Sequence, residues 1–205
     1  TVVIICSVLF IAYTSTYLEG NIHYLILLAP FYYLGIVALP SFFFTVILKW
    51  VLIGKYKKTE MPMYSMKVWL SEGITTIYEA LPVQFFLDFL RGTFWLPFFM
   101  RFLGVKIGKR VWLNTTDITE FDMVSIGDET MLNEDCGPQT HLFEDRIMKI
   151  GSVKIGKQTT INSRTIILYD SEIGNNVNID PLSLVMKGEV LSDNTSWYGS
   201  PLRGK

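Results

Sequence analysis

Histidine is scarce in this chain. Among 205 residues there are two, His23 and His141. A catalytic zinc site usually takes three protein ligands, so a site built on several histidines is excluded and no metal is expected. Cysteine is equally scarce. Cys6 and Cys136 lie far apart in unlike surroundings, which gives no disulfide framework and points to a reducing compartment. There is no excess of charge of either sign, the formal net charge being -1, so nothing supports a nucleic-acid partner. CxxC, HExxH, P-loop and GxSxG patterns are all missing. An initiator methionine is missing too, since the chain begins at Thr1. A processed chain or a piece of a longer one is therefore expected.

What is abundant is apolar surface, unevenly placed. Residues 2–18, VVIICSVLFIAYTSTYL, carry no charge and are near the lower length limit for a spanning helix. They have no basic start and no clear small-x-small cleavage site, so they do not read as a signal peptide. Residues 24–48 are also uncharged, and the apolar run continues past Lys49 to Ile53. As one helix, residues 24–53 exceed a core of ~30 Å, so tilt or kinks are expected, the kinks at Pro30 and Pro40. The intervening EGNIHY holds no Lys or Arg, while Lys49, Lys55, Lys57 and Lys58 follow the second segment. The positive-inside rule puts that end, and all that follows, in the cytoplasm. His23 is then a polar loop residue at the far membrane face. The expectation is an integral membrane protein whose residues 1–58 form a transmembrane helix pair.

Residues 59–103 mix aromatics with sparse charge, and Pro82 and Pro97 cut them into short helical pieces. They are expected to be amphipathic helices lying in the membrane interface, or a helical lid on the next domain; the two readings are compatible.

From residue 104 a different period takes over. Ile155, Ile161, Ile167, Ile173, Ile179, Val185, Leu191 and Trp197 fall every sixth residue. That spacing is neither helical nor simple alternation. Hexapeptide repeats predict a parallel β-helix, one short strand per repeat with each sixth residue pointing inward. Ile-Gly recurs at 107–108, 126–127, 155–156 and 173–174. From Ile155 to Ile173 is eighteen residues, one triangular coil. From Ile126 to Ile155 is twenty-nine, a coil plus eleven. Leu132 keeps the beat and Ile150 begins to resume it, so a loop must leave the solenoid between them. His141, in QTHLFEDRIMK, is near its middle, where function is expected.

These residues carry a resemblance. RFLGVKIGKRVWL, TDITEFDMVSIGD, QTHLFEDRIMK, VKIGKQTTIN, LSLVMKGE and WYGSP resemble hexapeptide-repeat acyltransferases. More closely, they are similar to the terminal membrane domain of ε-poly-lysine-synthetase-like non-ribosomal peptide synthetases. The resemblance implies a left-handed parallel β-helix over residues 104–201, after the helix pair and interfacial helices, with 202–205 as a tail. It implies transfer of an acyl or aminoacyl group from a phosphopantetheine thioester, on a carrier protein or CoA, to an amine or hydroxyl. No tightly bound cofactor is expected. Expected partners are the carrier or CoA thioester, membrane lipid, and neighbouring β-helices as a homotrimer or a tandem pseudo-trimer.

Such transfer needs a base, and imidazole suits it. His141 is the candidate, acting without an acyl-enzyme. A carboxylate on its other nitrogen would fix the tautomer. Glu144 and Asp145 are near in sequence; Glu120 and Asp122 are alternatives from a neighbouring coil. Arg146 and Lys149 are candidates to meet a carrier or phosphate. Trp197 and Gly199 resemble the end of the coil domain, where the pantetheine arm runs beside the last turns; Trp197 as a simple core cap is the other reading. Cys136 with His141 suggests a covalent route, but a buried structural thiol is more common. γ-Class carbonic anhydrases share the six-residue beat and need three histidines, which this chain lacks. The competing functional class is a non-catalytic β-helix that docks carrier or sister transferase domains at the membrane.

Overall fold

The computed structural model describes residues 10–13, 16 and 22–205. Most of the first apolar stretch, residues 2–18, lies outside these. Among the described residues one helix, Ile26–Ile53, is long and apolar enough to cross a membrane, where two spans were expected. The helical run that contains it comprises α1 (Ile22–Tyr32), a widened π segment Tyr33–Ala38, α2 (Leu39–Leu48) and a second π segment Lys49–Ile53. The first π segment ends just before Pro40, whose ring removes a hydrogen bond and crowds the preceding turn. The second contains no proline, and nothing in its sequence accounts for it. His23 sits in the first turn of α1 rather than in a loop.

The charge after the helix is not simply a solvated basic cluster. Lys49 is fully buried, its Nζ 2.6 Å from Asp122 Oδ2. The same carboxylate oxygen accepts the Tyr56 backbone N–H at 3.1 Å. Trp50 Nε1 donates to the Phe102 carbonyl. These contacts fasten the end of the apolar helix to the rest of the chain.

Residues 59–103 are not all helical. Thr59–Pro62 is a strand. α3 (Met66–Tyr78) follows, capped by Ser65, whose Oγ accepts the Val68 N–H. Its buried residues, Val68, Ser71, Ile74 and Tyr78, recur at three and four and so form one face. α4 (Trp95–Leu103) is two-sided as well. Leu96, Met100 and Leu103 are fully buried, while Trp95, Phe98 and Phe102 are exposed, joined by exposed Phe89 and Phe94. Gly104 closes α4 at φ +114°. A Cβ there would lie 2.5 Å from Asp122 Oδ1, so the backbone must pass against the buried ion pair.

The six-residue beat is a parallel β-helix with three faces. One stacks Lys106–Ile107, Val124–Ile126, Val153–Ile155, Glu172–Ile173 and Val190–Leu191. A second stacks Trp112–Leu113, Met131–Leu132, Thr160–Ile161, Asn178–Ile179 and Ser196–Tyr198, closed by an antiparallel Arg203–Gly204. The third stacks Gly137–Gln139, Ile166–Leu168 and Leu184–Val185. Ile155 pairs with Ile173 and Ile173 with Leu191, the eighteen-residue coil. The inward residues from Ile155 to Leu191 are all buried, each contributing about 1.5–3 kcal/mol. Trp197 is the partly buried last member of its column, paired with Ile179. One corner is a column of glycines. A Cβ on Gly156 would meet the Gly174 carbonyl oxygen at 2.4 Å, and one on Gly127 would meet the Gly156 carbonyl carbon at 2.6 Å.

The eleven extra residues form a hairpin. Gln139 is still in the third face, paired with Leu168. His141–Glu144 and Ile147–Ile150 then pair antiparallel, with His141 opposite Ile150. Thr59–Pro62 adds a third antiparallel strand along Ile147–Ile150. The excursion is thus a small sheet clamped by the segment that follows the apolar helix.

Candidate active site

His141 begins the hairpin, at the point where the chain leaves the β-helix. Its Nδ1 lies 2.8 Å from Glu120 Oε2. The Glu120 side chain has no exposure and that of His141 is 15% exposed. Oε2 of Glu120 also accepts from Thr140 Oγ1 at 2.6 Å and Thr119 Oγ1 at 2.9 Å, and Oε1 lies 3.5 Å from Ser71 Oγ on α3. Charge-assisted hydrogen bonds of this kind compensate a buried carboxylate. Glu120 itself sits at φ +29°, ψ 57°, a backbone region an L residue rarely adopts. Such strain persists only where surrounding contacts fix it, and here three hydroxyls and an imidazole do so.

An ionised carboxylate only accepts. Nδ1 of His141 therefore carries the proton toward Glu120, and Nε2 is left with its lone pair outward. Glu72 Oε1, on α3, lies 3.9 Å from Nε2, beyond a hydrogen bond. The Phe143 ring meets the imidazole edge-on, centroids 5.6 Å apart. Burial pulls the His141 pKa down, but the hydrogen bond and charge of Glu120 and the charge of Glu72 outweigh it, and the net shift is upward. The Glu72 carboxyl is also shifted upward, mainly by burial, with the charges of Glu120 and Glu79 adding and that of His141 opposing.

Glu72, Glu120 and His141 offer one ligand atom each within 4.8 Å of one another. Glu120 Oε2 is at the same time shared by Thr119, Thr140 and His141.

The other candidates fall elsewhere. Glu144 is not the partner of His141. Its carboxylate is bound by Lys187 at 2.5 Å and Lys149 at 3.1 Å, which hold its pKa down to about 2. The side chains alternate along the strand, and three residues from His141 Glu144 faces the neighbouring lysines. Asp145 and Arg146 form the hairpin turn, both at positive φ, and the Arg146 carbonyl accepts the Met63 N–H. Asp122 holds Lys49 and is withdrawn from any substrate. Glu120, one of the two alternatives from the neighbouring coil, is wholly buried and is the carboxylate that meets His141 Nδ1. Lys149 is occupied by Glu144. Trp197 Nε1 donates to Thr195 Oγ1, and Gly199 N–H to Ser183 Oγ; both lie in the last coil of the solenoid, beyond Lys187, which meets the hairpin's Glu144. Cys136 is buried, its Sγ 3.1 Å from the Asn162 carbonyl, and burial pushes its thiol up to about 11 despite backbone hydrogen bonds. A thiolate nucleophile needs the opposite shift. Cys6 lies outside the described residues. Glu72 and Ser71 carry no sequence signal that links them to His141.

By sequence, the chain matches one segment of a much longer protein. Delta-poly-L-ornithine synthetase of Acinetobacter baumannii is 55% identical over 160 residues, 78% of this chain and 12% of that protein. The chain is a homologue of that segment. It spans about an eighth of its relative's length. No family model matches. Among solved structures, a hexapeptide-repeat-containing acetyltransferase from Vibrio cholerae is 15% identical, covers 58% of this chain and 85% of its own, and has a TM-score of 0.45. A maltose O-acetyltransferase from Clostridium difficile is 20% identical, covers 54% and 73%, and scores 0.43. The β-helix assignment rests on the strand pairing of this chain, not on those two likenesses.

Proposed function

We propose that this chain is a membrane-anchored acyl or aminoacyl transferase segment, and that His141 is its general base. The Glu120–His141 pair is the observation that carries this reading. It fixes the tautomer that leaves Nε2 free, at the mouth of the one excursion from the solenoid, and it raises the basicity of the ring. The donor is a phosphopantetheine thioester, on a carrier protein or CoA, and the acceptor is an amine or hydroxyl. The homologous synthetase's name supports an amine.

The acceptor attacks the thioester carbonyl carbon while His141 Nε2 takes its N–H or O–H proton. The tetrahedral intermediate collapses, the C–S bond breaks, and the thiolate leaves. The imidazolium returns its proton to that sulfur, giving an amide or ester and a free thiol. Glu120 stabilises the imidazolium without becoming protonated. No covalent acyl-enzyme is needed, in keeping with the raised Cys136 pKa. Glu72, with Oε1 3.9 Å from Nε2, is placed to accept a hydrogen bond from the neutral acceptor amine near the base.

Ile26–Ile53 crosses the bilayer, and the β-helix lies on the cytoplasmic side. Phe89, Phe94, Trp95, Phe98 and Phe102 lie in the interface, as amphipathic aromatic faces do. The solenoid is left-handed, and neighbouring β-helices, as a homotrimer or tandem copies, complete the site and hold the donor arm between them. Transfer from an acyl- or aminoacyl-thioester by His141→Gln protein tests the chemical assignment. Loss of transfer with folding intact supports it; unchanged transfer returns the chain to a docking platform.

A further inference from the structure

Where the apolar helix ends at Ile53, the chain turns at Gly54 and a cleft of about 320 Å³ opens between the helix end, the strand Thr59–Pro62 and α3. Ile53, Leu70 and Ile150 give it apolar walls, and Lys55, Lys57 and Lys67 give it cations. Two other lysines close by in sequence are ion-paired, Lys49 with Asp122 and Lys58 with Asp170. Lys55, Lys57 and Lys67 form no ion pair among the described residues. Three like charges around one cleft repel one another until an anion joins them. Exposed Trp50 and Trp69 lie nearby in sequence, the residue type that collects at headgroup depth.

We propose that this cleft binds the phosphate headgroup of an anionic membrane lipid, with the upper part of an acyl chain against Ile53 and Leu70. A lysine ammonium is a compact point charge suited to phosphate. A soluble phosphate would satisfy the lysines but leave the apolar walls wet, which favours the lipid. The inference rests on the reading that Ile26–Ile53 crosses the membrane. It does not rest on the chemistry of His141.

The test is native mass spectrometry of the purified protein in a mild detergent, titrated with phosphatidylglycerol or phosphatidylcholine. One tightly bound phosphatidylglycerol is expected, with phosphatidylcholine weaker. Lys55→Gln/Lys57→Gln/Lys67→Gln, all at exposed positions, is expected to weaken phosphatidylglycerol roughly ten-fold or more. Lys154→Gln/Lys157→Gln/Lys205→Gln removes the same charge elsewhere and is expected to leave binding unchanged. His141→Ala is expected to bind lipid normally. Equal binding by the first triple variant, or no preference between the two lipids, would overturn the site. Displacement by millimolar inorganic phosphate would overturn the lipid assignment in favour of a soluble phosphate ligand. A protein that needs detergent yet binds no phosphatidylglycerol removes this site alone; one that stays in solution without detergent and binds none removes the membrane reading as well.

Discussion

Glu120 Oε2 lies 2.8 Å from Nδ1 of His141, across twenty-one residues of chain. One full coil of the solenoid brings them together, the strained turn at 120 lying under the root of the hairpin. Removing the charge while keeping the shape isolates what that contact does. Glu120→Gln is expected to lower the His141 pKa and to cut kcat/KM by roughly 10²-fold or more. Imidazole NMR titration reads the first effect directly, since the chain has one other histidine. The acidic limb of the pH–rate profile should move down with it. A pKa and a limb that stay in place would remove Glu120 from its positioning role.

Glu144 provides the contrast. Its oxygens belong to Lys149 and Lys187, so Glu144→Gln is expected to leave kcat/KM within a few-fold and the His141 pKa unmoved. A loss comparable to that of Glu120→Gln would restore Glu144 as the partner of the base.

The raised His141 pKa also has a sign in stability. The folded protein binds this proton more tightly than the unfolded chain, so the contribution is fully present below the ordinary histidine pKa of about 6.5. It is lost as pH rises through the higher folded value. His141→Asn should therefore lower Tm more at pH 5.5 than at pH 8.5. The reverse order would mean that burial, not Glu120, dominates the ring.

Lys49 and Asp122 test the joint between helix and solenoid. Lys49→Met leaves the Asp122 carboxylate buried without a cation, at a cost of roughly 3–5 kcal/mol. Lys49→Met/Asp122→Leu removes both charges and should recover much of the loss. Thermal or denaturant unfolding in detergent measures both. A double variant no better than the single would point to packing rather than charge.

The glycine corner makes a paired prediction. Gly156→Ala drives a Cβ to 2.4 Å from the Gly174 carbonyl oxygen, backbone that has no room to move without shifting the stack. Gly188 has φ +74° and open space around a would-be Cβ, so Gly188→Ala pays only the backbone term, about 1–2 kcal/mol. Gly156→Ala should cost clearly more in unfolding free energy.

These contacts show what a single chain reveals of itself. Ile155, Ile173 and Leu191 announce their stacking because the repeat is local and regular, and the eleven surplus residues before Ile155 announce the hairpin by breaking it. The partner of His141 is different. Glu144 is close in sequence, yet strand alternation and two lysines take it elsewhere; Glu120 is remote, and only coil geometry returns it. Lys49 reads as one more basic residue after an apolar helix because its partner lies seventy-three residues away. Thr59–Pro62 is too short and too exposed to signal a strand, and it becomes one because the hairpin offers it an edge.

The most direct measurement is single-turnover transfer from a loaded carrier, using the protein in nanodiscs with any neighbouring copies present, and its His141→Ala and His141→Gln variants. A fall of about 10²-fold or more in both, with native unfolding behaviour and donor binding retained, is the expected result. Transfer at the parent rate would contradict the assignment of His141 as the base and leave the solenoid a scaffold.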